Sequence, residues 1–155
     1  MSAKKPILNF ILLDKRWTKL LPSWKEEISC SLDVAVEVLK QDFSDLEVSV
    51  VLADDKAVRE LNKTYRHKDK PTNVLSFPSE ETGEVGDIIL AYETVKKEAE
   101  ETGISFLHHT LHLIVHGFLH LLGYNHEEDE GAHHMETMEI QILKKLGISN
   151  PYEDL

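Results

Sequence analysis

Residues 104–122 read ISFLHHTLHLIVHGFLHLL, and Gly123-Tyr124-Asn125-His126 follow. The stretch is apolar enough to raise the question of a membrane span. It carries His108, His109, His112, His116 and His120, and imidazoles in lipid are costly. It reads instead as a buried core helix with one functional face. His116 and His120 are four apart, so on a helix they project from one face, one turn apart. That is the spacing by which a helix gives two imidazoles to one zinc ion. Gly123 lets the chain turn back, since glycine accepts the positive φ that ends helices. His126 can then reach the same ion from the loop. Three neutral nitrogens leave a fourth tetrahedral position for water, the pattern of a catalytic site. The expected ligands are therefore His116, His120 and His126, holding one Zn2+ per chain. His112 lies on nearly the same face as His116 and is the alternative third ligand, although three ligands along a straight helix converge less well. His133 and His134 fall in an acidic stretch and read as solvated; His67 reads as a surface residue.

Outward from this helix the pattern is α+β. Ile7 to Leu13 reads as a strand by its bulky apolar residues. Ser23 to Gln41 reads as a helix, with Ile28, Leu32, Ala35, Val36 and Leu39 at helical spacing. Val48, Val50 and Leu52 alternate with Ser49, Val51 and Ala53, a second strand. Asp54 or Asp55 can cap a helix running to about Tyr65. Asn73 to Phe77 and Asp87 to Ala91 are short β-type runs separated by a polar loop with turn signals at Pro78 and Gly83. Helices are expected from Glu93 to about Thr102, from Ile104 to Leu122, and from about Glu128 to Leu146, with Gly123 and Gly147 as stops. No repeat or long linker divides the chain, so residues 1–155 read as one domain: a small mixed sheet covered by helices.

The 155 residues carry 28 acidic and 17 basic side chains, a formal net charge of -11. That argues against a surface that is basic all over, but the average hides a local exception. Between Lys56 and Lys70 stand six Lys or Arg against Glu60 and Asp69 alone, a local balance of +4. At about 100° per residue, Lys56, Arg59, Lys63 and Arg66 share one side of the Asp55–Arg66 helix, opposite Ala57, Val58, Leu61 and Tyr65. Cys30 is the single cysteine, so internal disulfides and CxxC zinc sites are excluded. Lys4-Lys5 before Ile7 to Leu13 resembles a weak leader, but Asn9, Asp14, Lys15 and Arg16 spoil it, and a cytoplasmic protein without a membrane segment is expected.

In metallopeptidases with H-E-x-x-H the residue after the first histidine is the general base. Here it is Gly117, which accepts no proton. The charge to be met is instead negative, judging from the basic helix, and zinc with arginine suits phosphoryl chemistry. The general base is left open between the metal's own water, a ribose 2′-hydroxyl and an acid such as Asp87.

The run His116-Gly117-Phe118-Leu119-His120-Leu121-Leu122-Gly123-Tyr124-Asn125-His126 resembles the signature of the YbeY-type endoribonucleases, bacterial ribosomal-RNA maturation factors. A second stretch resembles the same family independently: Leu61-Asn62 through Tyr65-Arg66, then Asp69-Lys70-Pro71-Thr72-Asn73-Val74-Leu75-Ser76-Phe77-Pro78. Gly86-Asp87-Ile88 is a third. The resemblance covers most of the chain and is weakest over the first 45 residues. It implies a zincin-like fold with a three-histidine zinc site, and cleavage of single-stranded RNA. It also implies work on the small-subunit ribosomal RNA precursor and in ribosome quality control, with the small subunit as partner and no DNA. His116, His120 and His126 match the family's metal ligands, and Arg66 its functional arginine. Asn125 stands where the family usually has Asp, which weakens any support a carboxylate there gives a ligand histidine. Asn73 also stands where many members have Asp.

The expectation is thus a zinc-dependent endoribonuclease with Arg66 as its catalytic cation. The alternatives are a non-catalytic zinc-containing RNA-binding assembly factor and a zinc hydrolase of peptides or small molecules.

Overall fold

A computed structural model describes residues 5–124 and 129–152, with four strands and six helices among them. They are β1 (Ile7–Leu12), α1 (Arg16–Leu20), α2 (Trp24–Leu39), β2 (Glu47–Ala53), α3 (Asp55–Arg66), β3 (Val74–Pro78), β4 (Glu84–Ala91), α4 (Tyr92–Thr102), α5 (Phe106–Leu121) and α6 (Asp129–Lys145). The strands form one mixed sheet in the order β1-β2-β4-β3. β1, β2 and β4 run parallel, and β3 returns antiparallel along β4. β3 is therefore an edge strand, and the site is built along it.

The period of two in the strands sorts side chains to two faces. Val48, Val50, Leu52, Ile88 and Leu90 join the main core with α2, α5 and α6. Ala53, Leu75, Ile89 and Ala91 point the other way and are covered by Val58, Ala57 and Leu61 of α3. α5 is buried on most sides through Leu111, Ile114, Val115, Phe118 and Leu119, which explains why its sequence is apolar nearly all round. Among the described residues no helix is long and apolar enough to cross a membrane.

The ends of these elements have local causes. Asp54 caps α3 by accepting from the Ala57 N–H at 2.8 Å. Ser105 caps α5 by accepting from the His108 N–H at 3.0 Å. Side-chain caps of this kind are typically worth about 1 kcal/mol each. The expected stops at Gly123 and Gly147 take φ of 98° and 78°. The short helix α1 is absent from the sequence reading, because five residues are under two turns and show no period. Its anchor is Trp17, fully buried, with Nε1 donating to the Ala53 carbonyl at 2.9 Å.

β4 also starts earlier than Asp87, through Gly86. At φ 148° this residue lies where L side chains are strained. A Cβ there would run into the Phe77 carbonyl oxygen and lie 2.7 Å from Leu121 Cδ2. Glycine at this position thus lets β3, β4 and the end of α5 meet.

Candidate metal and RNA site

α5 brings His116 and His120 together as their spacing requires. Their ring centres are 4.5 Å apart and their Nε2 atoms 3.0 Å apart. Two nitrogens each about 2.0–2.1 Å from one zinc are roughly 3.3 Å apart at the tetrahedral angle, so the two imidazoles fit a shared ion with little movement. The donor set is also chemically suitable, being two imidazole nitrogens on a partly exposed helix face. His126 lies outside the described residues.

Behind His116 stands Glu139 of α6, fully buried. Its Oε1 lies 2.5 Å from His116 Nδ1; its Oε2 lies 3.2 Å from His112 Nε2 and accepts from the Tyr152 hydroxyl at 2.6 Å. Burial alone would raise this carboxyl's pKa, but hydrogen bonds from His112, His116 and Tyr152 bring it down to about 2. Burial, and then the hydrogen bond to Glu139 and its charge, push the Tyr152 hydroxyl well above the usual phenol range. His112, His116 and Glu139 have ligand atoms within 4.8 Å of one another, a grouping that could hold a metal ion. It shares His116 with the His116/His120 pair but uses the opposite, Nδ1 edge of that ring. His112 therefore sits on the Glu139 side of His116, away from the edge where His120 converges, and this disfavours it as the third partner of that pair.

The Nε2 edge opens on a cleft of about 460 Å³ between α5 and the α3–β3 connection, running along edge strand β3. His116 and His120 line one wall; Arg66, Lys68 and Lys70 line the other. Arg66, at the C-terminal end of α3, donates from Nη2 to the Ser76 carbonyl at 2.8 Å and lies 5.4 Å from the Phe77 ring centre. Asn62 is buried and shapes the connection: its side-chain amide donates to the Lys70 carbonyl at 2.9 Å, and its own carbonyl accepts from Lys68. His67, an exposed residue, turns the chain at φ 57°.

The basic face expected from Lys56 to Arg66 reaches the cleft only at its end. Lys56, Arg59 and Lys63 do not line it, and Arg59 pairs instead with Asp69 at 2.7 Å. The reason is geometric: the face follows α3 away from β3, whereas the chain past His67 bends Lys68 and Lys70 back toward the histidines. Asp87 does not line the cleft either. It is one residue out of phase with Ile88, on the side of the sheet away from α5. Burial, with Glu84 adding to it, raises its pKa.

Gly117 faces the sheet. A Cβ there would come within 2.9 Å of Ile88 Cγ2 and 3.0 Å of Ser76 Oγ, and that hydroxyl donates to the Gly117 carbonyl at 3.2 Å. Position 117 thus serves close packing of α5 on β3, and a glutamate there would have no room. Asn73, too, has a partner that Asp could not serve. Its Nδ2 donates to Glu98 Oε1 at 3.0 Å, the same oxygen that meets His109 Nε2 at 2.9 Å.

Glu139 and Tyr152 are site residues that the sequence reading passed over. A signal existed for the first. Met135, Glu139 and Ile142 share one face of α6 at spacings of four and three, which places a carboxylate on an apolar stripe. Tyr152, beyond the last helix, carries no such pattern.

Comparison with known proteins agrees with this geometry. A family model described as "Endoribonuclease YbeY" matches residues 13–147. A Bradyrhizobium diazoefficiens protein named endoribonuclease YbeY is 43% identical over 159 residues, covering 96% of this chain and 86% of its own length. A Sinorhizobium fredii protein of the same name is 49% identical over 136 residues, covering 79% of each. A Thermotoga maritima protein solved in solution superposes with a TM-score of 0.56 at 27% identity, covering 96% of this chain and all of its own. With its histidine helix, edge-strand cleft and near full-length similarity, this chain belongs to the YbeY endoribonuclease family.

Proposed function

We propose that this chain, as one domain over residues 1–155, is a zinc-dependent endoribonuclease that cuts single-stranded RNA in small-subunit ribosomal RNA maturation and ribosome quality control. The observation that carries the reading is the convergence of His116 and His120 Nε2 at 3.0 Å on a cleft whose facing wall holds Arg66, Lys68 and Lys70. Two imidazoles facing cations across an edge strand suit a substrate that is an anion at its reacting centre. The endoribonuclease name of the relatives supplies the anion as an RNA phosphodiester.

In this reading His116, His120 and His126 hold one Zn2+, and the cell compartment is the cytoplasm. What the ion supplies when bound is Lewis acidity toward a phosphoryl oxygen and toward water. Arg66 binds the scissile phosphate and meets the charge that grows on its oxygens during transfer. Its guanidinium is pinned by the Ser76 carbonyl and Phe77, so it is aimed before the substrate arrives. Lys68 and Lys70 hold flanking phosphates along the edge strand.

The test combines metal content and RNA cleavage in His116→Ala, His120→Ala and His126→Ala. Each variant should fold, lose zinc and lose cleavage of a single-stranded ribosomal RNA fragment; chelation of the wild type should do the same, with zinc restoring activity. Full zinc occupancy in all three folded variants would overturn the ligand assignment.

A further inference from the structure

Glu139 is a carboxylate in the core of α6 with no exposed surface. Taking a charge out of water is costly unless its oxygens are well paired. Apolar packing would fill the same place between Met135 and Ile142 more cheaply, so the acid calls for a reason. Its geometry supplies one. Oε1 is used on His116 Nδ1 at 2.5 Å, while Oε2 is held by the Tyr152 hydroxyl at 2.6 Å and approached by His112 Nε2 at 3.2 Å. The 2.5 Å separation is a hydrogen-bond contact, tighter than the about 2.7–2.9 Å usual for N–H on a carboxylate. Two ligand atoms that close, each about 2.0–2.1 Å from one ion, would subtend only roughly 75° there, far from tetrahedral. The contact to Glu139 uses the Nδ1 edge of His116 and leaves its Nε2 edge toward His120.

The groups that fix Glu139 come from two other places. His112 is one turn before His116 on α5. Tyr152 lies in the turn after α6, where Gly147 ends the helix at φ 78°, Ile148 is buried, and Asn150 Oδ1 accepts from the Tyr152 N–H at 2.8 Å. The turn is thus ordered by its own contacts, and its phenol reaches inward to a carboxylate one bond removed from the site.

We propose that Glu139 is a positioning residue of the metal centre, fixing the tautomer and ring orientation of His116, and that Tyr152 and His112 lock its carboxylate in place. The inference rests on the reading that His116 and His120 hold zinc through Nε2, and it assigns Glu139 as orienter rather than ligand. By it, the last turn of the described chain tunes how tightly the histidines hold the ion.

The experiment measures Zn2+ affinity of the full chain by competition with a chromophoric chelator, for wild type, Glu139→Gln, Tyr152→Phe, His116→Ala and His120→Ala. Histidine tautomers of the metal-free proteins are read by long-range 1H–15N NMR. Loss of a carboxylate behind a ligand histidine typically weakens metal binding by about 10- to 100-fold, and Glu139→Gln is expected in that range. Tyr152→Phe, which removes one hydrogen bond to the carboxylate, should cost about 2- to 10-fold in zinc affinity in a protein that still folds cooperatively. His116 should be the Nδ1–H tautomer in wild type and a mixture in Glu139→Gln. Zinc affinity within twofold of wild type in both variants, with an unchanged His116 tautomer, would overturn the proposal. So would abolition of binding in Glu139→Gln while His120→Ala keeps it, since Glu139 would then be a ligand. If Glu139→Gln fails to fold, Tyr152→Phe decides alone by zinc affinity: a loss beyond twofold supports the proposal, and an affinity within twofold overturns it. Full zinc binding by His116→Ala and His120→Ala would instead sink the underlying metal assignment, a separate outcome.

Discussion

Arg66 Nη2 donates to the Ser76 carbonyl at 2.8 Å, so the one arginine lining the cleft is fastened to the edge strand opposite the histidine helix. The same strand residue reaches the other wall, its hydroxyl donating to the Gly117 carbonyl at 3.2 Å. Ser76 therefore sets the distance between the cation and the imidazoles.

The first prediction concerns that cation. Arg66→Lys keeps a positive charge but cannot hold the Ser76 carbonyl and two phosphate oxygens in one plane. Cleavage of single-stranded RNA should fall on the order of 100- to 1000-fold, with zinc content and melting temperature unchanged on the same preparation. Near-normal cleavage would reduce Arg66 to a general cation.

A second prediction separates the two basic groups. Lys68 and Lys70 line the cleft, whereas Lys56 and Lys63 do not. Replacing Lys68 and Lys70 together by alanine should weaken RNA binding and lower the slope of log affinity against log salt by about 1–1.5. Replacing Lys56 and Lys63 should leave that slope as in wild type. Equal effects from both pairs would place the RNA elsewhere.

Gly117 gives a third. An alanine gains about 1 kcal/mol in helix propensity, but its Cβ must displace Ile88 or Ser76 in a packed interior, at a cost of about 1–3 kcal/mol. Gly117→Ala should thus be neutral to modestly destabilising by chemical denaturation. Gly117→Glu should be severely destabilised and gain no peptidase activity; a stable, peptide-cleaving Gly117→Glu would refute the packing account.

Fourth, Asn73→Asp puts a second carboxylate where an amide now donates to Glu98 at 3.0 Å. At neutral pH the lost hydrogen bond and the repulsion should cost about 1–2 kcal/mol. The proximity raises the folded-state pKa of the carboxyl pair above its unfolded value. The native state then binds protons more tightly than the unfolded one, so the deficit is present above the carboxyl range and shrinks as pH falls through it. A deficit that does not narrow between pH 7 and pH 4 would contradict the contact.

Much of this was legible in the sequence because it is periodic or punctuated. The four-residue spacing of His116 and His120, the alternation in Val48 to Ala53, and the glycine stops at 123 and 147 are local signals, and the structure reproduces each. The α+β class followed from their order. What escaped depends on contacts between distant segments. The short α1 is held by Trp17 against the Ala53 carbonyl, 36 residues away. Lys68 and Lys70 displace Lys56 and Lys63 at the cleft because a left-handed His67 bends the chain, and a helical projection stops where the helix does. Glu139 needed the knowledge that α6 lies behind His116.

Gly117, read at first as a missing base, has a mechanical consequence. With no side chain between them, α5 and β3 touch backbone to side chain and share the Ile88 core, so histidine wall and edge strand move as one body. The opposing wall is different. Residues 67–72 hang from α3 by the Asn62 amide, its carbonyl and the exposed Arg59–Asp69 pair. The cleft works like a bench vice with one fixed jaw. A bound strand is therefore expected to be met by the α3–β3 connection giving way, while the imidazoles keep their place. Amide exchange should be slow along residues 111–119 and fast over 67–72, with RNA binding slowing only the latter.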